Sequence, residues 1–294
     1  SEALHTEEPK GDPDAEIPPP AEPVTKRGDL WILGRHRVVC GDCTSEKDRA
    51  LLLDGAKPEI LITDPPYCSG GFQESGRSTG SIGTERKDGK NPTIENDALS
   101  TRGYINMMKK ALDDLPTTIA YIFTDWRMWV TLNDIVESSR MGVRGMIVWD
   151  KKSPGLGAGW RAQHELIMFA HRTKCKFDKH KAYGNVIECS RSGNELHPTQ
   201  KPVELLEKLL DNTDWAHGVY DPFGGSGTTL AACEAYGQPS YIMELTPAFT
   251  DVIVKRYIRI TGKRNVRCVR QGRELSREEI AGIFDPDEEG GGQE

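Results

Sequence analysis

The chain predicts a mainly parallel, doubly wound α/β sheet, and three observations carry that expectation. Seven short apolar runs recur along it, most of them separated by segments with helical spacing. The run Ile60-Leu61-Ile62 has no polar face, as in a strand covered on both sides, and after Thr63 it stops at Asp64-Pro65-Pro66-Tyr67. A short strand at Gly218–Tyr220 leads into Asp221-Pro222-Phe223-Gly224-Gly225-Ser226-Gly227-Thr228-Thr229, where a glycine turn opens a helix.

In chain order, residues 1–25 come first. Seven acids, one base and the prolines Pro18, Pro19, Pro20 and Pro23 leave too little apolar content to pack, so a disordered acidic linker is expected, following an ordered domain in a longer parent. The expected strands are His36–Cys40, Glu59–Thr63, Thr118–Thr124, Arg144–Trp149, Glu165–Ala170, Gly218–Tyr220 and Ser240–Met243. Apolar residues near helical spacing predict helices at Thr101–Leu115, Trp129–Ser139, Pro202–Asn212, Thr228–Tyr236 and Pro247–Thr261. Residues 68–100 are rich in Gly, Ser, Arg and Lys and poor in apolar side chains, which predicts a flexible loop contacting the substrate directly after Tyr67. The folded domain is expected over 26–273, with an acidic tail over 274–294.

A chain of 294 residues with 36% hydrophobic content can bury one large core. No segment approaches eighteen uninterrupted apolar residues, and the first twenty lack the basic start and apolar centre of a secretory signal. The seven cysteines are odd in number and spread through predicted core elements, as in a reduced, cytoplasmic protein. Cys40 and Cys43 form a lone CxxC with no second pair at zinc spacing, so no metal site is expected. The net charge of −7 is uneven: residues 26–273 hold 36 bases against 30 acids, which permits a phosphate-binding face.

The chemistry begins at Asp64. Two prolines fix φ and remove two N–H groups, leaving the Asp64 and Pro65 carbonyls as acceptors whose direction the chain sets. An exocyclic NH2 offers two hydrogens to such acceptors, and Tyr67 adds a flat face on which its ring could stack. A simple turn after a strand is the alternative. The glycine turn is no P-loop, since no Lys follows Gly227, and Leu230 stands where a dinucleotide fingerprint needs its third glycine. Glu244 ends the next strand, where an acid can accept both hydroxyls of a ribose. These parts predict a nucleoside with an amino-acid-like group and no phosphate chain, a description that S-adenosylmethionine fits. His197-Pro198-Thr199-Gln200-Lys201-Pro202 opens a helix, and a helix start with a lysine attracts a carboxylate such as the methionine end.

Taken together, Asp64-Pro65-Pro66-Tyr67, His197–Pro202 and Asp221–Thr229 resemble the amino-methyltransferases of DNA, in their circularly permuted beta group, over roughly residues 28–270. In that family the catalytic tetrapeptide precedes the cofactor glycine loop, as here, and Gly41-Asp42-Cys43 looks like its usual opening strand end. The resemblance implies a circularly permuted Rossmann-like fold with a seven-stranded, mostly parallel sheet, S-adenosylmethionine as cofactor, DNA as substrate and a homodimer. Gly28–Tyr67 and the following loop also resemble methylases carried by phages and prophages.

By position, the resemblance assigns Asp64, Pro65, Pro66 and Tyr67 to the target base. It assigns the cofactor to Asp42 and Cys43, Asp64, Thr199 and Lys201, to Asp221, Pro222, Phe223, Gly225, Ser226, Gly227 and Thr228, and to Glu244. Asp42 would take the adenine amino group and Lys201 with Thr199 the carboxylate end. A Ser in place of Asp64 is more typical of cytosine N4 enzymes, so adenine N6 is the expected target. Phosphate contacts are expected from Arg77, Arg86, Lys87 and Lys90, or from Lys151, Lys152 and Arg161. Trp160 and Phe72 are candidates for stacking on bases, Trp126 is expected in the core, and His164 and His171 are given no catalytic part. Competing readings are a cytosine N4 or RNA methyltransferase, a nucleotide-cofactor oxidoreductase, and a catalytically silent DNA-binding subunit.

Overall fold

The computed structural model describes residues 9–67, 100–155, 159–172, 182–190 and 200–284. Every expected strand is present: β2 (His36–Cys40), β3 (Ile60–Thr63), β4 (Ile119–Thr124), β5 (Gly142–Asp150), β6 (His164–His171), β8 (Val219–Asp221) and β9 (Ser240–Glu244). They stand side by side in the order β2-β9-β8-β3-β4-β6-β5. The sheet nevertheless has eleven strands among the described residues, not seven. β1 (Leu30–Leu33), β10 (Arg267–Arg270) and β11 (Arg273–Glu274) extend one edge, and β7 (Val186–Glu188) extends the other. All four additions are short, and two-residue turns at Gly34-Arg35 and Gln271-Gly272 make the β1–β2 and β10–β11 hairpins, with positive φ at Gly34, Gln271 and Gly272. The five strands from β2 to β4 are mutually parallel, whereas β6 runs antiparallel to both β4 and β5.

Apolar residues on both faces make this a sheet wound on two sides. Along β3 and β4, Ile60, Ile62, Ile119, Tyr121 and Phe123 enter one core with α4 (Val203–Asp211), α5 (Thr228–Ala235) and α6 (Pro247–Thr261). Leu61, Ala120 and Ile122 enter the other core with α2 (Thr101–Leu112) and α3 (Trp129–Glu137). Each fully buried Ile or Leu contributes roughly 1.5–3 kcal/mol, so the central strands are the most strongly held part of the molecule. Helix α1 (Glu46–Leu53) has little apolar periodicity and went unpredicted; Ser45 caps it by accepting from Asp48 N at 3.2 Å.

Two boundaries differ from expectation. Residues 9–25 are not a free linker: Ile17 is buried, and the Asp251 carboxylate of α6 accepts from Val24 N at 2.7 Å, Thr25 N at 3.1 Å and the Thr25 hydroxyl. The acids and prolines that suggest disorder here serve as hydrogen-bond acceptors on the body. At the other end, Leu275, Ile280, Ile283 and Phe284 are buried in the α6 core, so the fold continues through a short 3-10 helix at Ala281–Ile283. Residues 1–8, 68–99 and 285–294 lie outside the described residues. No described helix is long and apolar enough to cross a membrane.

Replacing Asp251 by Ala strands two backbone N–H groups and the Thr25 hydroxyl. A loss of about 2–3 kcal/mol is expected, read as a lower urea midpoint with an unchanged denaturant slope.

Candidate active site

The parallel strands end at one edge, and their order reverses between β3 and β8: β3 leads through α2 to β4 on one side, β8 through α5 to β9 on the other. Such a switch point opens a crevice beyond the strand ends, where ligands of doubly wound sheets bind. A side-chain bridge spans it. Thr63 Oγ1 at the end of β3 donates to Asp221 Oδ1 at the end of β8, 2.8 Å away. Asp221 also accepts from Phe223 N at 3.1 Å and from Thr229 Oγ1 at 2.6 Å, so one buried carboxylate ties both strands, the glycine turn and the start of α5.

The turn itself is shaped by close packing. A Cβ on Gly224 would meet Ile242 Cγ2 at 2.4 Å, and Gly227 has φ of +86° against the Ile253 side chain and backbone. Among the described residues, only the Phe223 carbonyl lies within 4.0 Å of a Cβ built on Gly225, at φ +52°, so this part of the turn is open to them. Glu244, ending β9, accepts from Gly225 N and Thr246 N, each at 2.8 Å. Burial pushes the Glu244 carboxyl up to about 7 against those two bonds, and burial likewise pushes Asp221 up to about 6.

Across the crevice four charges meet. Lys201 Nζ lies 2.5 Å from Asp64 Oδ2 and 3.3 Å from Glu165 Oε2. Lys151 Nζ lies 2.5 Å from Glu165 Oε1, and Tyr67 Oη donates to Glu165 Oε2 at 3.1 Å. The antiparallel β6 makes this possible, because its first turn of chain stands at the edge where the parallel strands end. Burial acts to raise the Glu165 carboxyl, but Lys201 and Lys151 outweigh it and hold it down at about 2. Burial raises Asp64, with Lys201 opposing, and it pushes the Tyr67 hydroxyl well up with help from both carboxylates, so Tyr67 is a neutral donor. The Lys201 ammonium also stands over the Tyr67 ring at 5.6 Å and the Phe123 ring at 5.3 Å. Asp64 Oδ1 is buried and has no hydrogen-bond partner among the described residues.

A family model for DNA methylases of the N6/N4 type matches residues 59–255. The chain belongs to this DNA methylase family. It is 26% identical over 218 residues to the type II methyltransferase M2.DpnII of Streptococcus pneumoniae, covering 65% of this chain and 80% of that one. To the type II methyltransferase M2.LlaDCHI of Lactococcus lactis subsp. cremoris it is 24% identical over 235 residues, covering 71% and 86%. Among solved structures, the cytosine-N4-specific PvuII DNA methyltransferase superposes with a TM-score of 0.53 at 16% identity, covering 89% of this chain and 93% of that one. The M1.HpyAVI–SAM complex superposes with a TM-score of 0.50 at 22% identity, covering 74% and 98%. The structural likenesses establish a shared fold.

For a DNA methylase, the described residues gather Asp64–Tyr67, Lys201, Asp221–Thr228 and Glu244 around the switch point, with Asp42 and Cys43 just past the end of β2, which pairs with β9 at Cys40 and Glu244. Asp42 Oδ1 accepts from Thr44 N and Oγ1, both at 2.8 Å, and Cys43 is a buried thiol pushed up to about 12 by burial. Thr199, Arg77, Arg86, Lys87, Lys90 and Phe72 fall outside the described residues. Lys201 turns its ammonium to Asp64 and Glu165. Two expectations change. Lys151, expected on phosphate, is 8% exposed and paired with Glu165, since leaving two buried acids with one cation is costly. Trp126, expected in the core, is 64% exposed on the turn after β4, with the Arg127 guanidinium 5.2 Å from its ring centroid. Trp160 is fully exposed, and Lys152 and Arg161 are exposed beside the same edge, Lys152 with its ammonium 3.3 Å from Glu188. Glu165 is the residue missed. Its one signal is an acid at the head of an apolar strand, and the strand direction that gives it meaning is set by tertiary pairing.

The raised carboxyls make a pH prediction. An acid with a higher pKa when folded binds more protons than the unfolded chain, so stability falls as pH rises from its unfolded value through its folded one. For Glu244 the window runs from 4.5 to about 7 and carries about 3 kcal/mol. Urea melts of Glu244→Gln across that window are expected to lack this decline.

Proposed function

We propose that the protein is an S-adenosylmethionine-dependent DNA methyltransferase that modifies adenine N6 of a base turned out of the duplex. The observation that carries this reading is the Asp64 carboxylate. Lys201 ties down Oδ2, which leaves the buried Oδ1 as an oriented acceptor beside the Tyr67 ring at the switch point. The amino nitrogen of a paired base is locked in the stack, so the base must leave it to reach such an acceptor.

The residues present fit the cofactor. Each Glu244 oxygen accepts one backbone N–H, and the remaining lone pairs suit the two hydroxyls of a ribose. The open side of Gly225 leaves room beside the turn, and the turn carries no lysine for a polyphosphate. When bound, S-adenosylmethionine supplies a methyl group carried on a sulfonium.

The chain's own residues do the rest. The Asp64 Oδ1 and the Pro65 carbonyl accept the two amino hydrogens, drawing the nitrogen lone pair out of conjugation with the ring. Tyr67 replaces the lost stacking, and Glu165 fixes Tyr67 through its hydroxyl. Lys201 opposes the upward push that burial gives the Asp64 carboxyl. Most of the acceleration comes from alignment in a site sheltered from water. On the rim, Trp126 with Arg127, and Trp160 with Arg161, suit contact with nucleotides and phosphates. The same reading includes a homodimer and a phage or prophage type, as the family resemblance implies.

Asp64, in place of the Ser more typical of cytosine N4 enzymes, favours adenine. The likeness to the cytosine-N4-specific PvuII enzyme supports cytosine N4 as the second reading. Digesting methylated mixed-sequence DNA to nucleosides and weighing the products distinguishes them. Asp64→Ala is expected to lower methyl transfer about 10²–10⁴-fold while leaving the dissociation constant for S-adenosylmethionine within about threefold. Near-native transfer by that variant sinks the assignment.

A further inference from the structure

Arg256 on α6 is 1% exposed and ties three distant parts of the chain together. Its Nε donates to the Ser226 carbonyl in the glycine turn at 2.7 Å, and its Nη2 to Gln200 Oε1 at 3.0 Å. Its Nη1 donates to the Pro13 carbonyl. Gln200 Nε2 donates in turn to the Asp14 carbonyl at 3.0 Å. Asp14 Oδ1 accepts from the backbone N–H of Val203, the first residue of α4, at 3.1 Å. Pro202, at the cap position, has no side chain able to do this, so an acid 189 residues earlier in the chain serves instead.

Lys201 lies between the two anchored residues, Gln200 and Val203. Its own carbonyl accepts from Thr228 Oγ1 at 3.3 Å, so the main chain around it is held from the N-terminal segment, from α6 and from α5. A lysine has four rotatable side-chain bonds, and a buried ion pair at 2.5 Å is retained only when its backbone is placed well.

We propose that Asp14, Gln200 and Arg256 are positioning residues of the active site. They fix the backbone of Lys201 so that its ammonium reaches Asp64, and residues 9–25 belong to the catalytic unit. The inference rests on Asp64 being the target-base acceptor. It separates two parts of the N-terminal segment: Ile17 and the Val24-Thr25 pair anchor the segment, whereas Asp14 transmits its position to the site.

Asp14→Ala, Asp14→Asn and Ile17→Ala in the full chain test it. The ammonium of Lys201 faces Asp64 after β3, Glu165 on β6 and the rings of Tyr67 and Phe123, and Lys151 after β5 shares Glu165; Asp221 adds negative charge near Asp64. With Lys201 displaced, burial of Asp64 is less opposed, so the acid limb of kcat moves to higher pH. Asp14→Ala is expected to show that movement with kcat down about 10-fold to 100-fold, and with S-adenosylmethionine affinity within twofold. Asp14→Asn keeps an oxygen for Val203 N and restores both. Ile17→Ala lowers the melting temperature without moving the limb. Crystals of Asp14→Ala are expected to show Lys201 beyond about 4 Å from Asp64. An unmoved limb, or an intact Lys201–Asp64 pair, overturns the inference. Absence of methyl transfer by the wild-type protein instead overturns the proposed function, and the crystal comparison still decides this one.

Discussion

The site depends on a balance of charge at the edge of the sheet. Asp64 and Glu165 are brought together where the parallel β3 ends and the antiparallel β6 begins, and Lys201 and Lys151 offset them. Asp64 and Glu165 are partly buried, and removing any one member of the four leaves a charge there uncompensated. The geometry follows from that constraint. Lys201 must sit within reach of both carboxylates, which fixes the start of α4, and Tyr67 must give its hydroxyl to Glu165, which fixes the ring beside Asp64. Among the described residues, Asp64 Oδ1 is what remains without a partner after the other acceptors have been used.

Asp221 does for the glycine-turn side of the crevice what Lys201 does for the Asp64 side. Its bonds to Thr63, Phe223 and Thr229 cross the switch point, so the strand carrying Asp64 and the strand carrying the glycine turn cannot move independently. Gly224 closes that joint, because nothing larger fits against Ile242 and Ile253. An in-line reaction between two bound molecules needs this kind of rigidity between their pockets.

Much of this was legible in the sequence because it is local. A strand that stops at Asp64-Pro65-Pro66-Tyr67, a glycine turn after Asp221 and an acid at Glu244 are contiguous patterns, and seven strands followed from apolar runs. What was missed is non-local. Glu165 acquires its role from the antiparallel placement of β6, which no run of residues announces. Lys151 reads as one of several exposed bases until Glu165 is beside it. Asp14 looks like part of a disordered acidic stretch, since composition does not reveal that its carboxylate caps a helix 189 residues later. The edge strands β7 and β11 are of three and two residues, too short to leave a period.

The two halves of the crevice differ in their electrostatics, and the difference suits the ligands of the proposed function. On the Asp64 side two acids face two lysines, and a neutral base would enter without disturbing the balance. On the other side burial raises Asp221 to about 6 and Glu244 to about 7, and among the described residues no lysine or arginine pairs with either. Among those residues, that side is short of a positive charge. In the proposed function a sulfonium would bring one, and its arrival would favour the charged form of both carboxylates, the form that accepts hydrogen bonds from the turn and from ribose hydroxyls. On that reading, binding of a cationic methyl donor would release protons near neutral pH, and the donor that has lost its methyl, being neutral at sulfur, would lose that source of affinity.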